Sequence, residues 1–290
     1  MKIAIYGQSF DSVFNEPISR LISELSDRGH EIIVFDELAS FLQSAINYKS
    51  TQTFSDHEQL KGSDALIAIG GDGTMLNTLL YVRDSEIPVL GLNTGRLGFL
   101  STVSTDEIDE VVETLEDGSY EVEKRTVLML KTREDMFKPM NYALNEVAVH
   151  KNDISSMITI SAFVDGVYIN SYWADGLIIS TATGSTAYSM SCGGPIVMPG
   201  TETVIITPIA PHNLNIRPLV IPDSSKIRLV VEGRESQHLV SLDSRSKTMD
   251  NSQTLEISKA PFCMHLLRVK NQHFVQTIRN KLMWGLDRRN

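Results

Sequence analysis

Residues 64–74 read Asp-Ala-Leu-Ile-Ala-Ile-Gly-Gly-Asp-Gly-Thr: an apolar run enters a glycine turn that carries one acid, Asp72, at its tip. Gly70, Gly71 and Gly73 lack Cβ atoms, which lets the backbone take positive φ and brings its N–H groups close to a polyphosphate. Thr74 opens a run of helix formers to Tyr81, and the N-terminus of such a helix aims its free N–H groups at the same anion. A carboxylate repels phosphate unless a divalent metal or a substrate hydroxyl lies between them. Asp72 is therefore read as the residue that works on a hydroxyl, the alternative being a plain cap on the helix.

A second surface lies at 175–195, where Asp-Gly-Leu-Ile-Ile-Ser-Thr-Ala-Thr-Gly-Ser-Thr-Ala-Tyr-Ser-Met-Ser is followed by Cys-Gly-Gly-Pro. Thr183, Ser185, Thr186, Tyr188, Ser189 and Ser191 offer donors and acceptors at close spacing, suited to ribose hydroxyls and amides, and Gly184 and Ala187 allow close approach. The alternative is a Ser/Thr-rich turn leading into a small-residue helix. Asn93–Leu100 follows a strand end and is expected to line the crevice of Asp72, with Arg96 meeting phosphate and Phe99 flanking a base, or else to be a structural loop. Asn145 and Glu146 interrupt an apolar strand, and a buried polar pair needs partners that a ligand can supply. Pro208–His212 and Arg217–Pro218 read as turns. There is no Gly-x-Gly-x-x-Gly after the first strand and no Walker Gly-Lys-Ser/Thr, so a nucleotide is not held here as in a dehydrogenase or a P-loop enzyme.

The elements that must position these residues change character along the chain. Up to residue 118, short apolar runs (Lys2–Tyr6, Glu31–Phe35, Ala65–Ile69, Pro88–Leu92) alternate with helical patterns, one of which places Ile18, Leu21, Ile22 and Leu25 on one face. Gly29 stands where a helix cap belongs, and Ser104 with Glu107 forms a capping box for a helix closed by Gly118. This predicts a doubly wound α/β domain over 1–118, with the Gly-Gly-Asp-Gly turn at the carboxyl end of a strand, where such sheets bind ligands. Over 119–269 the period becomes two, predicting a mostly β domain with a continuous strand at Ala143–His150, a type I′ hairpin at Asp165-Gly166 and further strands at Thr203–Pro208, Lys226–Glu232, His238–Asp243 and Thr254–Ser258. Asn271–Leu286 predicts a helix returning to the first domain.

The 290 residues, 42% apolar and 21% charged, suit two soluble domains. Net charge −10 excludes a general nucleic-acid binder, and Arg279, Lys281, Arg288 and Arg289 read as a solvated helix face and tail. No apolar run approaches the roughly 20 residues that span a bilayer, and the start is too short in its apolar run for a secretory signal. Two cysteines without metal-ligand spacing point to a reduced, cytoplasmic setting with no zinc site.

Taken in order, Gly70–Thr74, Asn93–Phe99, Asn145-Glu146, Asp175–Tyr188, Gly193-Gly-Pro195 and Thr207–His212 resemble the NAD kinase family over nearly the whole chain. The glycine-acid-glycine turn alone is shared with phosphofructokinases and with lipid kinases of the diacylglycerol and sphingosine type; the Thr183–Tyr188 wording makes the resemblance specific. It implies transfer of the γ-phosphoryl of ATP to the adenosine-ribose 2′-hydroxyl of NAD, giving NADP, by a homodimer or homotetramer. A divalent metal, Mg²⁺ by expectation, accompanies the nucleotide without a dedicated protein cage. The resemblance makes Asp72 the catalytic acid, puts Gly70, Gly71, Gly73 and Thr74 at the nucleotide, and gives Asn145, Glu146, Asp175, Thr186, Ala187, Tyr188, Ser189, Met190 and Ser191 to NAD, with Ala210 and Arg245 as further contacts. Departures are Ala182 where proline is common, Cys192 where alanine is common, Trp173 where a basic residue often lies, and Arg245 where glutamine or histidine often follows.

Overall fold

The computed structural model describes residues 1–152, 156–269 and 273–284, and the chain divides into two compact units, Met1–Lys124 with Met264–Asn290, and Arg125–Cys263. The division falls inside two strands, a few residues from the 118/119 and 269/270 limits expected from composition.

In the first unit, β1 (Lys2–Gly7), α1 (Asn15–Asp27), β2 (Glu31–Phe35), α2 (Asp36–Ala45), β3 (Thr53–Phe54), β4 (Ala65–Ile69), α3 (Asp72–Val82), β5 (Val89–Asn93), β6 (Val103–Ser104) and α4 (Ile108–Asp117) follow in turn. The strands form a parallel sheet in the order β3-β2-β1-β4-β5, with Ile3 opposite both Ile32 and Ala65. Every residue of β4 and β5 is buried, as continuous apolar strands must be when helices cover both faces. The helices present Ile18, Leu21, Ile22 and Leu25 from α1 and Ile108, Val111, Val112 and Leu115 from α4, each fully buried aliphatic contributing about 1.5–3 kcal/mol. The Ser104–Glu107 capping box is formed and Gly118 ends α4 at φ 63°. Strand order reverses between β1 and β4, so the turn after β4 sits at the topological switch point.

The second unit holds β7 (Glu121–Lys131) from Arg125 onward, β8 (Tyr142–Ala143), β9 (Glu146–Lys151), β10 (Ile158–Val164), β11 (Val167–Ala174), β12 (Gly176–Thr181), α5 (Tyr188–Ser191), β13 (Thr203–Ile209), β14 (Leu219–Pro222), β15 (Ile227–Glu232), β16 (Gln237–Leu242), β17 (Arg245–Asp250) and the start of β18 (Leu255–Arg268). One antiparallel sheet runs β14-β13-β12-β9-β16-β17, and β11, β10, β15 and β18 pair antiparallel in a second. Inward-facing Val147, Val149, Leu177, Ile179, Ile206 and Val240 of one sheet pack with Ile160, Ala162, Leu229, Val231 and Ile257 of the other. The Asp165-Gly166 hairpin has both residues at positive φ, 51° and 82°, as a type I′ turn requires. The expected strand Ala143–His150 is broken: Leu144 and Asn145 leave the ladder because their N–H groups turn to a side chain, described below.

The end of the chain belongs to the first unit, where Leu266 of β18 pairs parallel with Val89. The returning helix, expected over Asn271–Leu286, is α6 (Phe274–Leu282); Asn271, Leu286, Arg288 and Arg289 lie outside the described residues. No helix among the described residues is long and apolar enough to cross a membrane.

Candidate active site

The turn between β4 and α3 is built to fix one carboxylate. Gly70 stands at φ +150°, and a Cβ there would lie 2.2 Å from Thr74 Oγ1. Gly71 and Gly73 depart from expectation: neither takes positive φ, and nothing lies within 4 Å of a Cβ built on either. What their missing Cβ atoms provide is clearance at the start of α3, where both glycines are exposed, while the Thr74 and Met75 N–H groups bond Gly71 O at 3.0 and 3.2 Å.

Asp72, the first residue of α3, is half-buried and points back at the loop after β5. Its Oδ2 accepts from Phe99 N–H at 2.8 Å, and its Oδ1 from Leu100 N–H at 2.9 Å and Ser101 N–H at 3.0 Å. Asn93 shapes that loop, donating to the carbonyls of Arg96 and Ser101 and accepting from Gly95 N–H, while the Ser101 hydroxyl ties it to Gly70 O at 2.7 Å. Gly98 completes the fit: a Cβ on it would fall 1.8 Å from Asp72 Oδ1. Of the roughly four lone-pair positions of a carboxylate, the two on Oδ1 and one on Oδ2 are taken, leaving one acceptor position on Oδ2. A simple helix cap would bond the N–H groups of its own helix; Asp72 instead spends its capacity on a loop 27–29 residues away. The Phe99 ring, expected to flank a base, packs 6.2 Å from the Phe274 ring and 4.7 Å from Lys281 Nζ, so the working group of this residue is its N–H.

In the second unit the same device recurs around Asp243, which is half-buried and stands at φ 51°. Its carboxylate accepts from the N–H groups of Leu144, Asn145 and Glu146 at 2.9, 2.8 and 3.1 Å, which turns the chain out of the β8–β9 line. Asn145 O then accepts Thr181 N–H at 2.8 Å, and Gly184 lets Asn145 lie against it, since a Cβ at 184 would sit 2.2 Å from that oxygen. Close approach at Gly184 thus serves the chain itself rather than a ligand. Glu146 is buried, and its Oε2 has no hydrogen-bond partner. Burial, and next the charge of Asp243, push its carboxyl up to about 8. Burial raises Asp243 as well, against the pull of the three N–H groups and the Arg245 guanidinium. Arg245, expected at the dinucleotide, donates instead to the carbonyls of Met140 and Tyr142 and buttresses this turn.

The hydroxyl-rich segment divides by direction. Ser189 is fully buried and hydrogen-bonds Thr207 Oγ1 at 2.8 Å, Ser185 donates to Ala182 O and accepts Val197 N–H, and Thr183 accepts from Arg125; these three hold the segment together. Thr186, Ala187 and Met190 are half-buried and Tyr188 and Ser191 exposed, so these residues form the accessible face. The Tyr188 ring stacks on His150 at 5.7 Å. Asp175 is partly exposed, forms an ion pair with Lys151 Nζ at 2.7 Å, and is tied by its N–H to Ile209 O, beside Ala210, whose φ of 42° strains the backbone. Sequence reasoning missed Ser101, Lys151 and Asp243 as parts of these sites. Among the described residues no group of three or more His, Cys, Asp or Glu side chains gathers to hold a metal.

Residues 16–120 match the family described as ATP-NAD kinase N-terminal domain, and residues 144–269 match the ATP-NAD kinase C-terminal domain. The chain is 47% identical to the NAD kinase of Flavobacterium psychrophilum and 44% identical to that of Christiangramia forsetii, each over 294 residues and 100% of both chains. Its fold is similar to that of yeast NADH kinase complexed with NADH, with a TM-score of 0.88 at 24% identity over 99% of this chain and 89% of that one. It is similar also to an NAD kinase from Archaeoglobus fulgidus in complex with ATP, with a TM-score of 0.76 at 28% identity over 98% of this chain and 99% of that one. Matched end to end at such identities, the chain belongs to the NAD kinase family.

Proposed function

We infer that this chain is an NAD kinase, phosphorylating NAD with ATP to give NADP. Full-length identity to NAD kinases supports the reaction, and the observation that carries the assignment of chemistry is Asp72, held by three backbone N–H groups with one acceptor position left on Oδ2.

In the mechanism we propose, the adenosine-ribose 2′-oxygen attacks the γ-phosphorus, the bond from that phosphorus to the bridging oxygen breaks, and ADP leaves. Phosphoryl transfer of this kind passes through a loose transition state, so the protein's part is alignment and charge neutralisation. Asp72 Oδ2 receives the 2′-hydroxyl proton. A carboxylate is too weak a base to ionise a sugar hydroxyl beforehand, so the proton moves late in the transfer and the loop's grip on Oδ1 keeps the acceptor aimed. Gly70, Gly71, Gly73 and Thr74 at the α3 N-terminus face the phosphates, the clearance coming from Gly71 and Gly73. Asn145, Glu146, Asp175, Thr186, Ala187, Tyr188, Met190, Ser191 and Ala210 hold NAD, the protonated Glu146 having a free oxygen for a ribose hydroxyl. The donor set near Asp72 is backbone N–H groups around a single acid, which does not fit a protein-held cation; a divalent ion, Mg²⁺ by preference, comes in on the triphosphate as part of the substrate.

The enzyme works in the cytoplasm as a homodimer or homotetramer. Free Cys192 and Cys263 accord with a reducing compartment, which cell fractionation tests. Incubating the purified chain with NAD, ATP and Mg²⁺ and coupling product to an NADP-specific dehydrogenase tests the reaction itself: NADP must accumulate, and NAD binding without NADP formation would leave a dinucleotide sensor in its place.

A further inference from the structure

The exposed end of β11 carries a group that the reading above leaves without a task. Trp173 is 50% exposed, although indole is a side chain that folding normally covers. It does not lie loose: its ring centroid is 4.2 Å from that of His212, and its carbonyl accepts His212 N–H at 2.9 Å. Trp173 and Asp175 flank the buried Ala174 where the chain leaves β11 and bends at Asp175 into β12. His212 follows Ala210 and Pro211, and Ile209 O accepts Asp175 N–H, so both partners of the ring pair are anchored to residues assigned to NAD.

We propose that the Trp173–His212 pair is an aromatic platform on which the nicotinamide ring of NAD stacks. The inference deepens the NAD kinase reading and rests on it. With one side of the indole against the imidazole, the rest of the ring is presented to solvent. The nicotinamide ring of NAD is planar and cationic, so it gains from the negative face of the indole as well as from the stack, whereas adenine, planar but neutral, gains only the stack. A basic side chain at position 173 would repel that ring; an indole attracts it.

The chain has two tryptophans, so Trp284→Phe leaves Trp173 as the single indole reporter in an otherwise complete enzyme. In this variant nicotinamide mononucleotide and NAD quench the fluorescence and AMP does not. In steady-state assays Trp173→Ala raises KM for NAD roughly tenfold, the lower part of the range for an aromatic stack, with kcat within about twofold. Trp173→Phe restores most of the affinity. Absence of quenching by nicotinamide mononucleotide, quenching by AMP alone, or a Trp173→Ala KM within about twofold of the parent overturns the platform. If NADP forms but the indole does not respond, the platform fails and the kinase reading stands; if the indole responds but no NADP forms, the kinase reading fails and the platform stands.

Discussion

Two acids carry most of the account, and they are treated oppositely by the fold. Asp72 is supplied with three N–H donors, while Glu146 is buried with an oxygen that has none. That contrast has a consequence in pH. The folded chain keeps a proton on Glu146 to about pH 8, whereas an unfolded chain releases it near the ordinary value of 4.5, so between those values the folded state binds more protons. The stability this contributes is fully present below about 4.5 and is lost as pH rises through about 8. The melting temperature therefore falls between about pH 5 and about pH 9, and Glu146→Gln flattens the slope; a parent protein whose melting temperature rose across that window would contradict the assignment. Asp72 was legible in the sequence as the one acid in a glycine turn, and Glu146 as part of a polar pair in an apolar strand. Asp243 was not, because its partners at 144–146 stand 97–99 residues away and are backbone N–H groups that any residue type supplies.

At the scale of elements, local rules were read well and long-range backbone contacts were not. The capping box at Ser104 and the Asp165-Gly166 turn depend on neighbours in the chain, and both formed as the spacing predicts. Ser189 looked like a ligand hydroxyl in a run of such residues, yet its side chain turns from α5 to Thr207 in β13. The loop after β5 is the sharpest case. Gly98 has no positive φ to explain it; it is glycine because the Asp72 carboxylate occupies the place of its Cβ. Gly98→Ala must displace either the loop or the acid and break charge-assisted hydrogen bonds. It is expected to lower kcat at least about tenfold and to cost on the order of 1–3 kcal/mol of stability, read from steady-state assays and denaturant melts. A Gly98→Ala variant with parental kcat would show that the loop's grip on Asp72 is dispensable.

For the whole molecule, the change from helix-and-strand alternation to period two announced an α/β region followed by a sheet-rich one, and the division into Met1–Lys124 with Met264–Asn290 and Arg125–Cys263 has that character. The limits themselves left little trace in composition because they cut through β7 and β18, strands that run on from one unit into the other. Assembly belongs to this scale as well. Val167, Tyr168 and Ile169 are exposed on β11, an edge strand paired on one side by β10, a surface that association with a second copy would cover. Light scattering is expected to give the mass of two or four chains, and the mass of one chain at working concentration would contradict the assembly. The claim on which the rest depends is nevertheless chemical, and the kcat of Asp72→Asn tests it most directly. Because asparagine keeps the size of the side chain while losing the proton acceptor on Oδ2, the account predicts a fall in kcat of about 10²- to 10⁴-fold with NAD binding retained; a variant that turned over at nearly the parental rate would contradict it.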